Sequence, residues 1–264
     1  MIEVKTGSFA RLSVNQRVAD PSILSQGGVA WPACGRCGTI PELRPYPGVG
    51  RLAVALMASG LQLAEATLRG PMAGLGFRAV ASGHRFVIPL APGILGTVGL
   101  NNATKGYGPG VTSLYPIIGV RVDTVERTVA EFQGTRLHRY YPATISRPLG
   151  AIAGLRFVED TNWVFGPGNT DGPATALVGT LVRHGLPFMR EHITLPAVLD
   201  AMDRRWCMSP EYRKPVVLAL LGRLPEAYAV LDQITAEVGA RGDLAAQQWR
   251  RFAAAFRQRD WVPS

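Results

Sequence analysis

The chain has 264 residues, 47% of them hydrophobic and 18% charged, which excludes a chain that is disordered along its whole length. Its apolar run at residues 52–63 is shorter than the roughly 20 residues that a membrane-spanning helix needs, and no apolar stretch of the secretory kind follows residues 1–5. Three cysteines, an odd and low number, do not make a disulfide framework. We therefore expect a cytoplasmic protein without a membrane span.

The net charge is +9, from 28 basic and 19 acidic residues. Only Lys5, Lys105 and Lys214 are lysines, and an arginine-rich composition of this kind is typical of proteins from GC-rich bacterial genomes. Residues 51–150 hold 10 basic and 4 acidic residues, so most of the excess positive charge lies there. These charges are dispersed along the sequence, unlike the basic arms that bind nucleic acids.

Residues 1–50 differ from the rest of the chain. They are rich in glycine and proline and show neither the period of a strand nor that of a helix. We predict a weakly ordered N-terminal extension there, followed by a single domain at residues 51–264. An alternative is that the native protein starts at Met57, which would leave residues 1–56 outside it.

Cys34 and Cys37 form a CxxC pair. Such a pair can supply half of a tetrahedral zinc site or act as a redox dithiol. The sequence has no second CxxC and no HxxxH to complete a zinc site, and Gly38 follows where a redox motif would begin a helix. Cys34 and Cys37 remain candidate metal ligands, but an incidental pair is favoured, and no cofactor is expected.

Regular patterns begin after residue 51. Apolar residues three or four apart predict a first helix ending near Gly74, with an apolar face made of Leu61, Ala64, Leu68 and Met72. Alternating or β-branched apolar runs then predict four strands, at residues 77–81, 85–90, 94–100 and 115–122. The first two of these strands flank Gly83, which is typical of a hairpin turn.

A second helix is predicted at residues 123–132. Asp123 and Glu126 have the spacing of a capping box. In a capping box, each of the two side chains accepts a hydrogen bond from the backbone N–H of the other residue. An apolar face follows, made of Val125, Val129 and Phe132, and Gly134 ends the helix. Beyond it the pattern is mixed, and short strands are predicted at residues 144–146 and 155–158.

The last third, residues 173–260, is predicted to be helical. A helix at residues 174–184 is closed by Gly185 and Pro187, and Asp243 caps the final helix, with an apolar stripe made of Ala245, Trp249, Phe252 and Phe256. Other helices are predicted at residues 195–206, 215–221 and 225–238. The whole order predicts the α+β class: an antiparallel or mixed sheet of about four to six strands within residues 77–158, packed helices, and a helical C-terminal third.

Two polar and aromatic clusters in the middle of the chain contain the candidate site residues. Glu159 and Asp160 with His138 are the candidate catalytic residues, because two carboxylates and an imidazole can perform general acid–base chemistry if the fold brings them together. The candidate binding residues are of types enriched in interface hot spots, namely Arg139, Tyr140, Tyr141 and Trp163. The sequence alone leaves open whether the protein is an enzyme.

Three functions are compatible with these features. The favoured one is a non-catalytic binding or protein-interaction module with an unknown protein partner, because no complete catalytic motif or cofactor loop is present and the C-terminal third is helical. The first alternative is a hydrolase of a small substrate that uses Glu159, Asp160 and His138. The second alternative is a weak nucleic-acid binder that uses its scattered arginines.

Overall fold

A computed structural model of the chain describes residues 59–80, 84–103, 107–155 and 163–261. Its first part holds the sheet, with the elements α1 (Gly60–Gly74), β1 (Arg78–Val80), β2 (Arg85–Ala91), β3 (Ile94–Ala103), β4 (Thr112–Val122), α2 (Asp123–Gln133), β5 (Ile145–Pro148), α3 (Leu149–Ile152) and β6 (Val164–Phe165). Helices follow, namely α4 (Asp171–Thr180), a π-helical turn (Leu181–Gly185), α5 (Leu186–Glu191), α6 (Leu195–Asp203), α7 (Pro210–Leu220), α8 (Leu224–Val238) and α9 (Leu244–Gln258). The predicted α+β class with a helical C-terminal part is confirmed.

The described strands pair antiparallel in the order β1-β2-β3-β4-β5, and the short β6 pairs with the start of β4. β3 and β4 form the long central pair, which runs in register from Ile94 opposite Val122 to Ala103 opposite Ser113. Among the described strands β1 pairs with β2 only, so it lies at one edge of the sheet. The sheet is thus of the antiparallel kind, and its first four strands correspond to the four that the apolar runs predict.

Both faces of the sheet are covered near β2. Phe86 and Val87 are successive residues of β2 and point to opposite faces, and both are buried. α1 buries Ala64, Leu68 and Met72, which belong to the face that the helical spacing predicts. The apolar core therefore extends on both sides of the sheet.

α2 begins at Asp123 as predicted, but not through a capping box. Glu126 is buried, and its two carboxylate oxygens accept from Nε and Nη2 of Arg213 in α7, each at 2.8 Å. Asp123 accepts from Nε of Arg121 at 2.8 Å instead of capping the helix. The capping-box interpretation is therefore wrong. Glu126 instead forms a buried bidentate ion pair with Arg213. The predicted apolar face of α2 is buried, comprising Val125, Val129 and Phe132.

The predicted helix end at Gly185 and Pro187 is also wrong. The chain passes from α4 through the π-helical turn into α5 and stays helical as far as Glu191. Pro187 lies inside this stretch, just after the π-helical turn Leu181–Gly185, which interrupts the regular α-helical hydrogen-bond pattern. A local rule that treats proline as a terminator thus divides one continuous helical stretch.

An aromatic cluster joins α9 to α2 and α7. Phe252 of α9 lies with its ring centroid 5.7 Å from that of Phe132 and 5.0 Å from that of Tyr212. Trp249 and Phe256, on the same face of α9, are also buried, so three of the four residues of the predicted apolar stripe are buried, while Ala245 is only partly buried. Edge-to-face contacts of this kind add to the energy of burying the rings themselves.

The described residues between 59 and 240 and between 248 and 261 form one compact unit, and Arg241–Gln247 groups apart from them. Within Arg241–Gln247, Asp243 caps the start of α9 as predicted, because its Oδ1 accepts from the Ala246 N–H at 2.9 Å. No helix in the described ranges has both the length and the apolar character needed to cross a membrane. The predicted N-terminal extension and the strand at 155–158 fall on residues that lie outside the described ones, apart from Leu155.

Candidate binding groove

The segment of residues 135–144, here called the 135–144 loop, crosses one face of the sheet beside β1 and β2. Arg78 of β1 lies with its guanidinium carbon 5.3 Å from the ring centroid of Tyr140, and Arg85 of β2 lies 4.7 Å from that of Tyr141. Burial lowers the pKa of the Arg85 guanidinium below its ordinary value, which agrees with the position of the loop over this side chain. Cation–π contacts therefore hold the loop against the two strands.

Gly119 of β4 allows the loop to approach the sheet. A Cβ at this position would lie 2.6 Å from the Ala143 Cβ and 2.9 Å from both the Ile145 carbonyl oxygen and Thr97 Oγ1. Two of these neighbours belong to the loop or to the strand that follows it. A residue without a side chain is therefore needed for the close packing of the loop on β4.

Replacing Gly119 by alanine should lower the free energy of unfolding by about 1–3 kcal/mol, because the new methyl group overpacks a site with no free space. The matched control is Gly99→Ala, where a Cβ would lie 3.9 Å from the nearest atom, a contact of ordinary length. Urea unfolding of both variants measures the difference. Equal stability of the two variants would contradict the close packing of the loop against Gly119.

A cavity of about 690 Å³ lies between β1 and the 135–144 loop. One wall is made of the three successive residues of β1, Arg78, Ala79 and Val80, and the other wall is made of residues 136–140. Successive residues of a strand point to opposite faces, so a cavity that touches all three lies along the edge of β1. We call this cavity the β1 groove.

Positive charge dominates the β1 groove. Its lining includes Arg78, Arg136, Arg139 and His138, and it contains no carboxylate from the described part of the chain. These three arginines form no ion pair with any described residue, whereas Arg257 and Arg259 of the C-terminal region pair with carboxylates at 2.6 Å and 3.2 Å. Within the described part of the chain, the groove therefore carries positive charge that no carboxylate neutralises.

His138 and Tyr140 give the groove wall a defined shape. His138 Nδ1 accepts a hydrogen bond from the Tyr140 backbone N–H at 3.2 Å, so the neutral imidazole carries its proton on Nε2. The guanidinium of Arg139 lies 5.2 Å from the Tyr140 ring, which thus contacts two arginines. The Tyr140 ring therefore lies between two cationic groups at the groove wall.

The structure brings together three of the four predicted binding residues and separates the fourth. Arg139 and Tyr140 line the β1 groove, and Tyr141 lies beside it against His138, with the ring centroids 6.4 Å apart. Trp163 is only 2% exposed, because it packs in the core before β6, where its C=O accepts from the Leu114 N–H. Trp163 therefore offers no contact area to a partner.

Sequence reasoning missed two of the three groove arginines, Arg78 and Arg136. Arg136 lies two residues before the predicted cluster and carries no aromatic neighbour that would mark it. Arg78 lies about 60 residues earlier, and only the pairing of β1 at the sheet edge brings it to the loop. The signal that could have identified Arg136 is the concentration of basic residues at positions 136–139, which include no acidic residue.

The candidate residues Glu159, Asp160, Cys34 and Cys37 lie outside the described residues, so the proposed acid–base cluster and the CxxC pair have no structural description. In the ranges that the structure describes, no three His, Cys, Asp or Glu side chains approach one another closely enough to bind a metal ion. His138 is the one candidate catalytic residue with a described position, and it lines the β1 groove.

A second polar cluster surrounds the buried ion pair of Glu126 and Arg213. Burial raises the pKa of the Cys207 thiol to about 12, with Glu126 and Glu211 adding to the effect and Arg213 opposing it. Burial also raises the pKa of Glu211, whose Oε1 has no hydrogen-bond partner among the described residues. Glu126 and Arg213 are buried, whereas Cys207 and Glu211 are partly exposed, so the ion pair is part of the core and the other two groups lie at its margin.

Cys207 should alkylate slowly in the folded protein. At pH 8 a thiol with a pKa near 12 is about 0.01% thiolate, against roughly a quarter for a free cysteine, and the thiolate is the reacting species. We expect iodoacetamide to modify Cys207 roughly a thousandfold more slowly in the native protein than in urea, measured by peptide mapping, which resolves Cys207 from the other cysteines. A native rate within about tenfold of the unfolded rate would contradict the raised pKa of this thiol.

Comparison with known proteins adds no functional information. No protein-family model matches the chain, and neither the curated proteins nor the solved structures include a significant match. Function is therefore inferred from the β1 groove and its charges.

Proposed function

We propose that this protein is a non-catalytic protein-interaction module whose β1 groove binds an acidic segment of a partner protein. The observation that carries the proposal is the lining of the groove, in which Arg78, Arg136 and Arg139 are grouped without a described carboxylate to neutralise them. Guanidinium groups form short, charge-assisted hydrogen bonds with Asp and Glu side chains. Complementary charge of this kind raises the rate and the specificity of association.

The types of residue in the groove also favour a protein partner. Arginine and tyrosine are enriched in interface hot spots, and Tyr140 is held by two arginines before any partner arrives. Leu137, in the same wall, is 40% exposed and adds apolar contact area between the charged side chains. A binding site with an apolar residue among charged ones is suited to a peptide more than to a simple inorganic anion.

Binding of nucleic acid receives less support from the described surface. Arg257 of α9 pairs with Asp232 of α8, and Arg259, just after α9, pairs with Glu131 of α2, so these two arginines add no unpaired charge to the positive surface of the groove. Tyr140 contacts Arg78 and Arg139, which would compete with stacking of a base.

The free thiol of Cys207 is consistent with action in the reducing cytoplasm of a bacterium.

The proposal is tested by measuring the fluorescence anisotropy of a labelled glutamate-rich peptide on titration with the full chain. We expect Arg78→Gln/Arg136→Gln/Arg139→Gln to weaken binding at least about tenfold, because each exposed charge contributes on the order of 0.5 kcal/mol or more. The matched control is Arg223→Gln/Arg257→Gln/Arg259→Gln, which removes the same charge from arginines that are already paired. This control should bind within about twofold of the wild type.

Two outcomes would overturn the proposed function. One is an equal loss of affinity in the groove variant and in the control, which would mean that only net charge matters. The other is the absence of binding to the glutamate-rich peptide. A labelled single-stranded oligonucleotide that binds more tightly than the peptide would identify a nucleic acid as the ligand instead. A lysine-rich peptide of the same length should not bind.

A further inference from the structure

The edge of β1 has backbone groups that face the groove. Leu100 N–H donates to the His84 C=O, and since backbone groups alternate in direction along a strand, Phe86 also directs its N–H and C=O towards β3. Ala79 lies opposite Phe86 in the β1–β2 pair. The N–H and C=O of Ala79 therefore point away from β2 and into the β1 groove.

From this geometry, and on the basis of the proposed function, we propose that the acidic segment binds as an added β-strand along β1. The N–H and C=O of Ala79 would form the backbone hydrogen bonds of the new strand pair. Residues 136–140 form the far wall and supply Arg136 and Arg139 to its side chains. The groove thus offers both parts of strand addition, main-chain bonds for affinity and side-chain contacts for specificity.

The direction of side chains predicts the pattern of the ligand. Arg78 and Val80 point to one face of the sheet, and Arg85, opposite Val80, points to the same face. Tyr140 and Tyr141 cover that face through their contacts with Arg78 and Arg85. An added strand would place every second side chain there, so we expect Asp or Glu at alternate positions of the partner segment.

A second copy of this chain is the competing occupant of the edge. Pairing of two β1 strands would bring the Arg78 guanidiniums of both copies into one short strand pair, where like charges repel. Charged side chains on edge strands are a known means of preventing such self-pairing. An acidic segment replaces that repulsion by attraction, and so the charges select it over a second copy.

Two changes to backbone groups test this mode of binding. Ala79→Pro removes the N–H that faces the groove and leaves the β1–β2 hydrogen bonds intact, and proline is tolerated at such an edge position. The probe is a short labelled peptide of alternating glutamate and valine, measured by anisotropy on the full chain. We expect Ala79→Pro to weaken its binding about tenfold while the thermal unfolding midpoint stays within a few degrees of the wild type.

The second change is made in the peptide, so it does not depend on the folding of a variant. Two peptides carry N-methyl groups, one on all glutamates and one on all valines. In a strand pair, alternate N–H groups face the protein, so one N-methylated peptide should bind about tenfold more weakly and the other should bind almost unchanged. Analytical ultracentrifugation of the free chain checks for self-pairing.

The outcomes separate the binding mode from the proposed function. In one outcome, the unmodified peptide binds and its binding depends on Arg78, Arg136 and Arg139, but the Ala79→Pro variant binds it as well as the wild type does. If both methylated peptides also bind as well as the unmodified one, strand addition is wrong and the acidic-segment function stands. If neither the unmodified alternating peptide nor the glutamate-rich peptide binds, both proposals are wrong; if only the glutamate-rich peptide binds, strand addition is wrong and the acidic-segment function stands. If the free chain forms dimers that Ala79→Pro abolishes, the edge pairs with a second copy and strand addition by a partner is wrong.

Discussion

Replacing Arg213 by alanine is expected to lower the free energy of unfolding by about 3–5 kcal/mol. Removing one partner of a buried pair leaves the other charge without compensation, which is among the most destabilising of single changes. Arg213 forms a bidentate pair with Glu126, and its Nη1 also donates to the Met208 C=O at 2.7 Å. The variant thus leaves the buried Glu126 carboxylate without a counter-charge and removes one hydrogen-bond donor from the Met208 C=O. Equilibrium unfolding in urea, followed by circular dichroism, measures the loss.

Two controls distinguish the loss of a buried charge pair from a general loss of an arginine. Arg223→Ala removes an arginine from an exposed pair with Glu226, and we expect no measurable change in stability. The double variant Glu126→Leu/Arg213→Met removes both charges and should recover most of the stability that Arg213→Ala loses, because neither partner is left alone. A loss in Arg213→Ala no greater than in Arg223→Ala would contradict the buried pair.

The second large effect is expected for Phe252→Ala, which should lower the free energy of unfolding by about 3–5 kcal/mol. The Phe252 ring is fully buried and contacts the rings of Phe132, Tyr212 and Trp249. Alanine would leave a cavity where α2, α7 and α9 meet, and the surrounding helices relax into such a cavity only in part. Urea unfolding measures the change.

The matched control for Phe252→Ala is Val182→Ala, which also truncates an apolar side chain of a helical segment. Val182 is 43% exposed, so we expect its replacement to change stability by less than about 0.5 kcal/mol. Phe252→Leu, which retains most of the apolar volume, should lose less than Phe252→Ala. If Phe252→Ala and Val182→Ala were equally stable, the aromatic cluster would not hold α9 in place.

The elements that could be predicted from the sequence are those with a local signal. The strands β1 to β4 coincide with runs of β-branched and aromatic residues, and the buried face of α1 follows the helical spacing of Ala64, Leu68 and Met72. The apolar stripe of α9 was predictable for the same reason. Each of these patterns repeats within one element, so no knowledge of the fold is needed to read it.

The ion pair of Glu126 and Arg213 was not predictable in this way. The two residues are 87 positions apart, and the spacing of Asp123 and Glu126 fits a capping box as well as it fits an acidic residue that turns inward. Only the packing of α7 on α2 decides between these outcomes. The helix end at Pro187 was misjudged for a related reason, since a proline need not end a helical stretch where a π-helical turn interrupts the regular hydrogen-bond pattern just before it.

The candidate site was predictable in part. Arg139, Tyr140 and Tyr141 are neighbours in sequence and are grouped in space because one loop carries them. Trp163 was included for its aromatic side chain as well, but it is buried, since exposure depends on tertiary packing and not on residue type alone. Arg78 required the strand pairing that places β1 at the sheet edge.

The anchoring of the 135–144 loop has a consequence for how the groove binds. Arg121 Nη1 donates to the Pro142 C=O, and the Thr144 hydroxyl accepts from the Val122 N–H while donating to Glu126. The exit of the loop is thereby fixed to the core. A wall that is held in place before the ligand arrives loses little conformational entropy on binding. The groove is thus preorganised, and most of the entropic penalty of complex formation falls on the partner segment.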